Sequence, residues 1–501
     1  MYDNSLKEEN PDTKELFSPN PESCMRPTSE KLKLFVKTYG CQMNEYDSQK
    51  IAEIMSKDNY VLVDNQIDAD LIVLNTCHIR EKAAEKVYSE LGRIKKVTAG
   101  KDPIVVLAGC VAQAEGEEIF KRSSNVNIIV GPQSYHHLRD MVKEYKSKKN
   151  EQDSKKLPRT KLINLNFIEE KKFDFLEEEL TYLANSSIEN MENHALDALK
   201  KNENKSIAKV SSSFVSVQEG CDKFCHFCVV PYTRGAEFSR PVEQVMREIF
   251  YHVSNGAKEV VLLGQNVSGY HGKHDGKEVN LATLIRHVAR IPQIKRIRFT
   301  TSHPRDMDQD LINLFGEEEK LMPFFNLPVQ SGSSKILKLM NRKYTREHYL
   351  DIINKLKAQR PDIAMSSDFI VGFPGETDED FEDTIKIVQE VGFAQCYSFK
   401  YSIRPGTPAA KMDQVDDKVK TQRLIRLQKV IADEQSKFNN KFIDKVLPVL
   451  FDKVGKFDNQ AAGRTPYMQS IYLNNAENLM GQLVNVKITN VYSNGLGGEL
   501  I

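Results

Sequence analysis

Three things are scarce in this chain: a surplus of charge of one sign, long apolar runs, and cysteine. Lys+Arg and Asp+Glu each number 70, so the formal net charge is zero and no overall field favours RNA or an acidic surface. Any such contact has to come from local patches. No apolar run approaches the roughly 18–20 residues of a membrane-spanning helix, and residues 1–30 are polar and acidic, unlike a signal peptide. The expectation is a soluble cytoplasmic protein that makes no membrane contact. Eight cysteines in 501 residues could make four disulfides, but nothing in the chain suggests secretion. In a reducing compartment, clustered cysteines bind metal or do chemistry.

What is present is a chain 40% hydrophobic and 28% charged, long enough for two to four domains. Residues 1–32 read as a disordered tail. From 33 to 147, strand and helix signals alternate: LKLFVKTYGC, ADLIVLNTC, PIVVLAGC and VNIIVGP read as strands. EYDSQKIAEIMSK and REKAAEKVYSELGRIKK lie between them with helical spacing, which predicts a doubly wound α/β domain. Residues 148–206 are charged and read as a linker, with a weakly amphipathic helix near Ile188 to Leu199. Six further strand candidates between 207 and 437, separated by helices, predict a partial (βα)6 barrel. Residues 440–501 alternate in short segments with Gly and Asn turns and predict a small β-barrel.

The sharpest chemical signal is EGCDKFCHFCVVPYTRG, with Cys221, Cys225 and Cys228 spaced C-x3-C-x2-C. Three thiolates can hold three irons of an iron–sulfur cube and leave the fourth iron open. Structural zinc needs a fourth protein ligand. His226 is the candidate, and its place between Cys225 and Cys228 directs it away.

This loop, with Phe227 before the last cysteine, resembles the radical S-adenosylmethionine superfamily. The resemblance implies that S-adenosylmethionine chelates the open iron and that one electron cleaves it to methionine and a 5′-deoxyadenosyl radical. Three more cysteines each close a hydrophobic strand: Cys41 after FVKTYG, Cys77 after LIVLNT and Cys110 after IVVLAG, with 35 and 32 residues between them. On parallel strands all three emerge at the carboxyl edge, where open α/β sheets bind ligands. Any one of them alone reads as a buried structural cysteine. Together they favour a second three-cysteine iron–sulfur cluster.

The two triads and the C-terminal barrel resemble the methylthiotransferase family of radical S-adenosylmethionine enzymes from about residue 33 to 501. KTYGCQMNEYDS, NTCHIREKAAEKV, GCVAQAEGEEI, CVVPYTRG, LLGQNV, TTSHP, LPVQSGS and DFIVGFPGET look most like the branch acting on tRNA that carries N(6)-dimethylallyladenosine. That branch puts a methylthio group on carbon 2 of the adenine next to the anticodon. The resemblance implies two [4Fe-4S] clusters, S-adenosyl-L-methionine, an external electron donor, a TRAM domain at the C-terminus and a monomer. Carbon 2 is unactivated, which calls for radical chemistry with the Cys41–Cys77–Cys110 cluster as sulfur source. No residue is assigned as acid or base. Rival readings are methylthiolation of threonylcarbamoyladenosine in tRNA or of a ribosomal-protein aspartate, and, from another class, a non-catalytic iron–sulfur RNA-binding protein.

Cofactor contacts are expected from Phe227, near the adenine, and from Gly264 and Gln330 at strand ends. GFPGET is either a tight turn in which Thr377 caps a helix or a further cofactor contact, and Arg404 either meets a phosphate or caps the rim. From Asn440 on, six Lys/Arg face five acids, so RNA contact there rests on Arg464, Tyr467 and Tyr472 against a reading of the tyrosines as core residues. Cys24 and Cys396 are expected to bind no cluster. His78, beside Cys77, stands where this branch more usually has serine. It either contacts cluster or RNA, or is simply exposed.

Overall fold

The computed structural model describes residues 31–77, 81–155, 160–167, 172–173, 191 and 211–501. The N-terminal tail with Cys24, His78, and most of the 148–206 stretch including the helix expected near Ile188 lie outside the described residues.

The first lobe is a six-stranded, all-parallel sheet built from β1 (Leu32–Thr38), β2 (Tyr60–Leu62), β3 (Leu71–Thr76), β4 (Ile104–Gly109), β5 (Ile128–Val130) and β6 (Leu162–Asn164) in the order β2-β1-β3-β4-β5-β6. Both faces are covered, so β3 and β4 are buried along their whole lengths and apolar but for Asn75 and Thr76 at the end of β3. Helices α1 (Gln42–Ser56), α2 (Glu81–Val97), α3 (Cys110–Glu115), α4 (Glu118–Arg122) and α5 (Leu138–Lys155) make the crossovers. Two strands go beyond the sequence reading. β2 and β6 are three-residue edge strands, too short to show a period, and β6 falls in the stretch read as linker. The winding direction reverses between β1 and β3, so the carboxyl ends of these two strands flank the switch point where such sheets bind ligands.

The central lobe has the six expected parallel strands as two three-stranded sheets. One runs β13 (Arg296–Phe299), β10 (Glu259–Leu263), β7 (Ser212–Ser216), and the other β14 (Phe324–Asn326), β15 (Ala364–Val371), β16 (Gln395–Lys400). A parallel bridge from Ile297 to Leu321 joins the two halves. The loop carrying Cys221, Cys225 and Cys228 is closed at its neck by the two-residue strands β8 (Gln218–Glu219) and β9 (Phe238–Ser239). It contains the short helix α6 (Val230–Arg234). Helices α7 (Val242–Ser254), α8 (Leu281–Ala289), α9 (Gln309–Glu317), α10 (Ser334–Leu339), α11 (Arg346–Gln359) and α12 (Asp378–Val391) pack outside the strands, and α13 (Asp417–Asn440) follows.

Strands β17 (Val446–Val454), β18 (Gln460–Arg464), β19 (Ser470–Asn474), β20 (Leu483–Tyr492) and β21 (Gly495–Leu500) form a closed barrel. It sits against the amino ends of the central strands. Arg296 donates to the carbonyls of Arg464 and Pro448 at 2.8 and 2.6 Å, Arg298 to those of Pro466 and Thr465 at 2.9 and 2.8 Å, and Lys258 to that of Gly481 at 2.7 Å. Phe324 and Ala364, at the starts of β14 and β15, share the apolar core of this barrel. A guanidinium presents several N–H donors in one rigid plane, so a single side chain holds two carbonyls in fixed geometry.

Thr377 is the N-cap of α12. Its side chain accepts from Asp380 N while the Asp380 carboxylate accepts from Thr377 N, a complete capping box. The Thr377→Ala protein is expected to lose about 1 kcal/mol of stability, measured by urea unfolding, while Thr377→Ser keeps most of it.

Candidate functional site

Cys41, Cys77 and Cys110 come together at the carboxyl edge of the first sheet. Cys41 precedes α1 as its N-cap, Cys77 follows β3, and Cys110 opens α3 directly after β4. All three line one cavity, and the rest of its wall is Asn44, Val229, Val230, Thr233, Arg234 and Gln265. Val229, Val230, Thr233 and Arg234 belong to the loop that leaves Cys228. The second cysteine site therefore forms the lid of the first.

Two glycines make the convergence possible. Gly40 has φ +127°, and a Cβ there would stand 2.1 Å from Cys77 Cβ. Gly109 has φ +89°, and its Cβ would stand 2.4 Å from the Thr76 carbonyl oxygen. Any side chain at either position would push a cysteine-bearing strand end away. Beneath the thiols lies a buried polar network. Asn44 Nδ2 donates to the Thr76 carbonyl at 3.0 Å, Asn75 Nδ2 to the Asn44 carbonyl at 2.8 Å and to Ser48 Oγ at 3.0 Å, and Thr76 Oγ1 to the Ala108 carbonyl at 2.6 Å. These bonds tie β3 to α1 and β4, and so fix the relative positions of all three cysteines. A hydrogen bond from Cys77 brings the Cys41 thiol down to about 6 against the opposing effect of burial, whereas burial pushes Cys110 up.

The radical-type triad is held from the other half of the barrel. Arg342 Nη1 donates to Cys225 Sγ at 3.4 Å, and Nη2 donates to the Pro328 carbonyl at 2.7 Å. Burial, then repulsion from the Cys225 thiolate, pushes Cys228 up to about 12, and burial pushes Cys221 up to about 11. Thiols in such surroundings lose their protons to a metal rather than to water. His226 is turned out of the triad, its Nδ1 2.8 Å from the Leu339 carbonyl oxygen, so it offers no fourth ligand for zinc. The cavity wall at Cys41, Cys77 and Cys110 holds no His, Asp or Glu, and His226 is bonded elsewhere, so three thiols at each place fit a group with one open coordination position.

The residues expected at the cofactor fare differently. Phe227 is half-buried against Met340, Ile336, Phe373 and Tyr401. Gly264 has a packing reason of its own. A Cβ there would meet Gln218 Oε1 at 2.7 Å, and Gln218 Oε1 accepts from Gln265 N and Asn266 N at 2.8 Å each. Gln265 Oε1 in turn accepts from Gly220 N at 2.7 Å, so the paired amides clamp the base of the Cys221 loop to the end of β10. Gln330 holds a left-handed backbone, φ 75°, bridging Phe369, an uncommon conformation for a side chain of its kind. Tyr467 is an interface residue. Its hydroxyl donates to Asp362 at 2.7 Å and its ring lies 4.6 Å from that of Phe442, while Tyr472 is exposed. Cys396 packs against the central core, away from both triads.

Sequence reasoning missed the group that joins the two sites. Arg234 Nη2 donates to Asp47 Oδ2 at 2.7 Å, Lys172 Nζ pairs with Glu219 Oε1 at 2.7 Å, and Gln133 Nε2 donates to Glu219 Oε2 at 2.8 Å. All are buried. Burial alone would lower the Arg234 pKa, but the charges of Asp47, Cys110 and Glu219 hold it well above the usual value. A parallel group lies beside it: Glu248 on α7 takes Lys50 of α1 at 3.1 Å and Arg240 at 2.6 Å. Met43 and Tyr46 of α1 pack on Val261 and Leu263 of β10. The signals were present in Asp47 of CQMNEYDS and Arg234 of CVVPYTRG, but only the fold pairs them.

Residues 33–131 match the family described as Uncharacterized protein family UPF0004, residues 215–388 the Radical SAM superfamily, and residues 441–501 the TRAM domain. A tRNA-2-methylthio-N(6)-dimethylallyladenosine synthase of Rickettsia rickettsii is 53% identical over 479 residues, covering 94% of this chain and 99% of that protein. The proteins of the same name from Rickettsia canadensis and Orientia tsutsugamushi are each 54% identical, covering 93% of this chain and 99% and 98% of their own lengths. Among solved structures, the radical S-adenosylmethionine methyltransferase TsrM of Kitasatospora setae is similar in fold. Its TM-score is 0.51 at 12% identity, over 76% of this chain and 75% of that one.

With a cluster on each triad, as the sequence resemblance implies, anaerobic reconstitution of the Gly40→Ala protein is expected to incorporate about half the iron of the parent chain. Iron analysis checks this, and full incorporation would show that the close approach of Gly40 to Cys77 is dispensable.

Proposed function

This chain belongs to the tRNA-2-methylthio-N(6)-dimethylallyladenosine synthase family, and from that membership we propose that it methylthiolates carbon 2 of N(6)-dimethylallyladenosine next to the anticodon of tRNA. The reading is a radical S-adenosylmethionine methylthiotransferase with two [4Fe-4S] clusters, one on Cys221, Cys225 and Cys228 and one on Cys41, Cys77 and Cys110. When bound, the first cluster and S-adenosylmethionine supply a carbon radical able to take hydrogen from an unactivated ring carbon, and the second cluster supplies sulfur.

The observation that carries this reading is the shared wall. Val229 and Val230, directly after Cys228, line the cavity of the other three cysteines. Apolar side chains there exclude water between the two sites, which suits a reactive radical. Arg342 steadies Cys225, the Gln218–Gln265 amide pair fixes the loop neck, and the Asn44–Asn75 network holds Cys41, Cys77 and Cys110. Phe227, Gly264 and Gln330 are the residues we propose for the S-adenosylmethionine side of the mouth. The electron donor is external, the protein acts as a monomer in the cytoplasm, and the C-terminal barrel contributes to RNA binding. No helix of the described residues is long and apolar enough to cross a membrane.

Separating the two roles tests the proposal. Wild-type protein reconstituted anaerobically is expected to hold about eight irons per chain and, with a reductant, to form 5′-deoxyadenosine and the 2-methylthio nucleoside in tRNA. Cys77→Ala is expected to keep 5′-deoxyadenosine formation and lose the methylthio product, and Cys225→Ala to lose both. Nucleoside analysis showing 2-methylthio groups only on threonylcarbamoyladenosine would overturn the substrate.

A further inference from the structure

Arg234 is bonded to its neighbours through only part of its guanidinium. Nη2 donates to Asp47 Oδ2 at 2.7 Å, whereas Nη1 has no hydrogen-bond partner and stands 3.6 Å from Glu219 Oε1. The residue is 4% exposed, so water does not hydrate the free edge, and the cavity it lines is the one shared by Cys41, Cys77 and Cys110. A buried N–H of a charged group without a partner is costly. An anion placed against it removes that cost. The other non-cysteine residues of the wall, Asn44, Val229, Val230, Thr233 and Gln265, carry no charge, so Arg234 is the wall's single source of positive potential.

We propose that Arg234 is a positioning residue for anionic sulfur: its free guanidinium edge stabilises the negative charge of the sulfur-rich group held by Cys41, Cys77 and Cys110, and Asp47 sets how much of its charge is available. The inference rests on the two-cluster reading above and adds to it a residue from the loop of one cluster acting on the other. A positive charge beside a cluster favours its more electron-rich state and raises its reduction potential. In a dry wall the effect is only weakly screened. Lysine has one compact head, which follows Asp47 and leaves the cavity. The fork of arginine serves both partners at once.

The experiment uses full-length protein carrying Cys221→Ala, Cys225→Ala and Cys228→Ala, so that one cluster is read alone by redox titration with electron paramagnetic resonance. Arg234→Lys is expected to shift the midpoint to more negative values and Asp47→Asn to more positive values, at unchanged iron content. The two signs together decide, and Arg234→Lys carries the weight, because the charge of Asp47 also acts on Cys41 and Cys110 directly. Unchanged potentials or shifts of one sign in both overturn it, as does unfolding of both variants, which would leave Arg234 a brace alone. Absence of iron in the parent triple-cysteine variant would sink the two-cluster reading instead.

Discussion

Asp47, Lys172, Glu219 and Arg234 form a buried set of two acids and two bases, contributed by the first lobe, the stretch between lobes and the loop of the second cysteine triad. Each is nearly inaccessible to water, so none tolerates loss of its partners. Deleting one member of such a set costs about 3–5 kcal/mol because the remaining charge is stranded. The constraint acts on geometry more than on stability. Glu219 lies two residues before Cys221, and Arg234 six after Cys228. Pairing them across the lobes fixes both ends of the cysteine loop against the sheet that bears the other triad. The apolar contact of Met43 and Tyr46 with β10 and the Lys50–Glu248–Arg240 group extend that lock along α1.

With the lobes fixed, the local devices acquire their purpose. Gly40 and Gly109 matter because the three thiols have to converge within one cavity, and the Asn44–Asn75 bonds matter because strand ends otherwise fray. On the barrel side Arg342 reaches from one half-sheet to a cysteine of the other, across the seam that the Ile297–Leu321 bridge also spans by backbone.

Much of this was legible in the chain itself. A continuous apolar run that stops at cysteine, repeated in FVKTYGC, LIVLNTC and IVVLAGC, encodes a parallel strand and the edge at which it ends. The six central strands and the final barrel follow from the same patterning. The short edge strands β2 and β6 escaped because three residues show no period, and β18, QAAGR, because it has no alternation. Thr377 illustrates a local signal that the sequence offers as one of two readings, since a threonine three residues before an acid carries its own capping geometry. Asp47 and Arg234 illustrate the opposite. They are 187 residues apart, and ordinary charged residues in a chain with 140 of them carry no mark of their partner.

The C-terminal barrel is joined to the amino ends of the central strands, whereas Cys221, Cys225 and Cys228 follow the carboxyl end of β7. Between the two lies the height of the strands, about 25 Å along an eight-residue strand such as β15 at roughly 3.3 Å per residue. A free nucleoside is far too small to touch both places, and only a ligand with the length of a folded polymer can. In the proposed function the architecture is a caliper: one jaw does the chemistry, and the other registers that the base being presented belongs to something long.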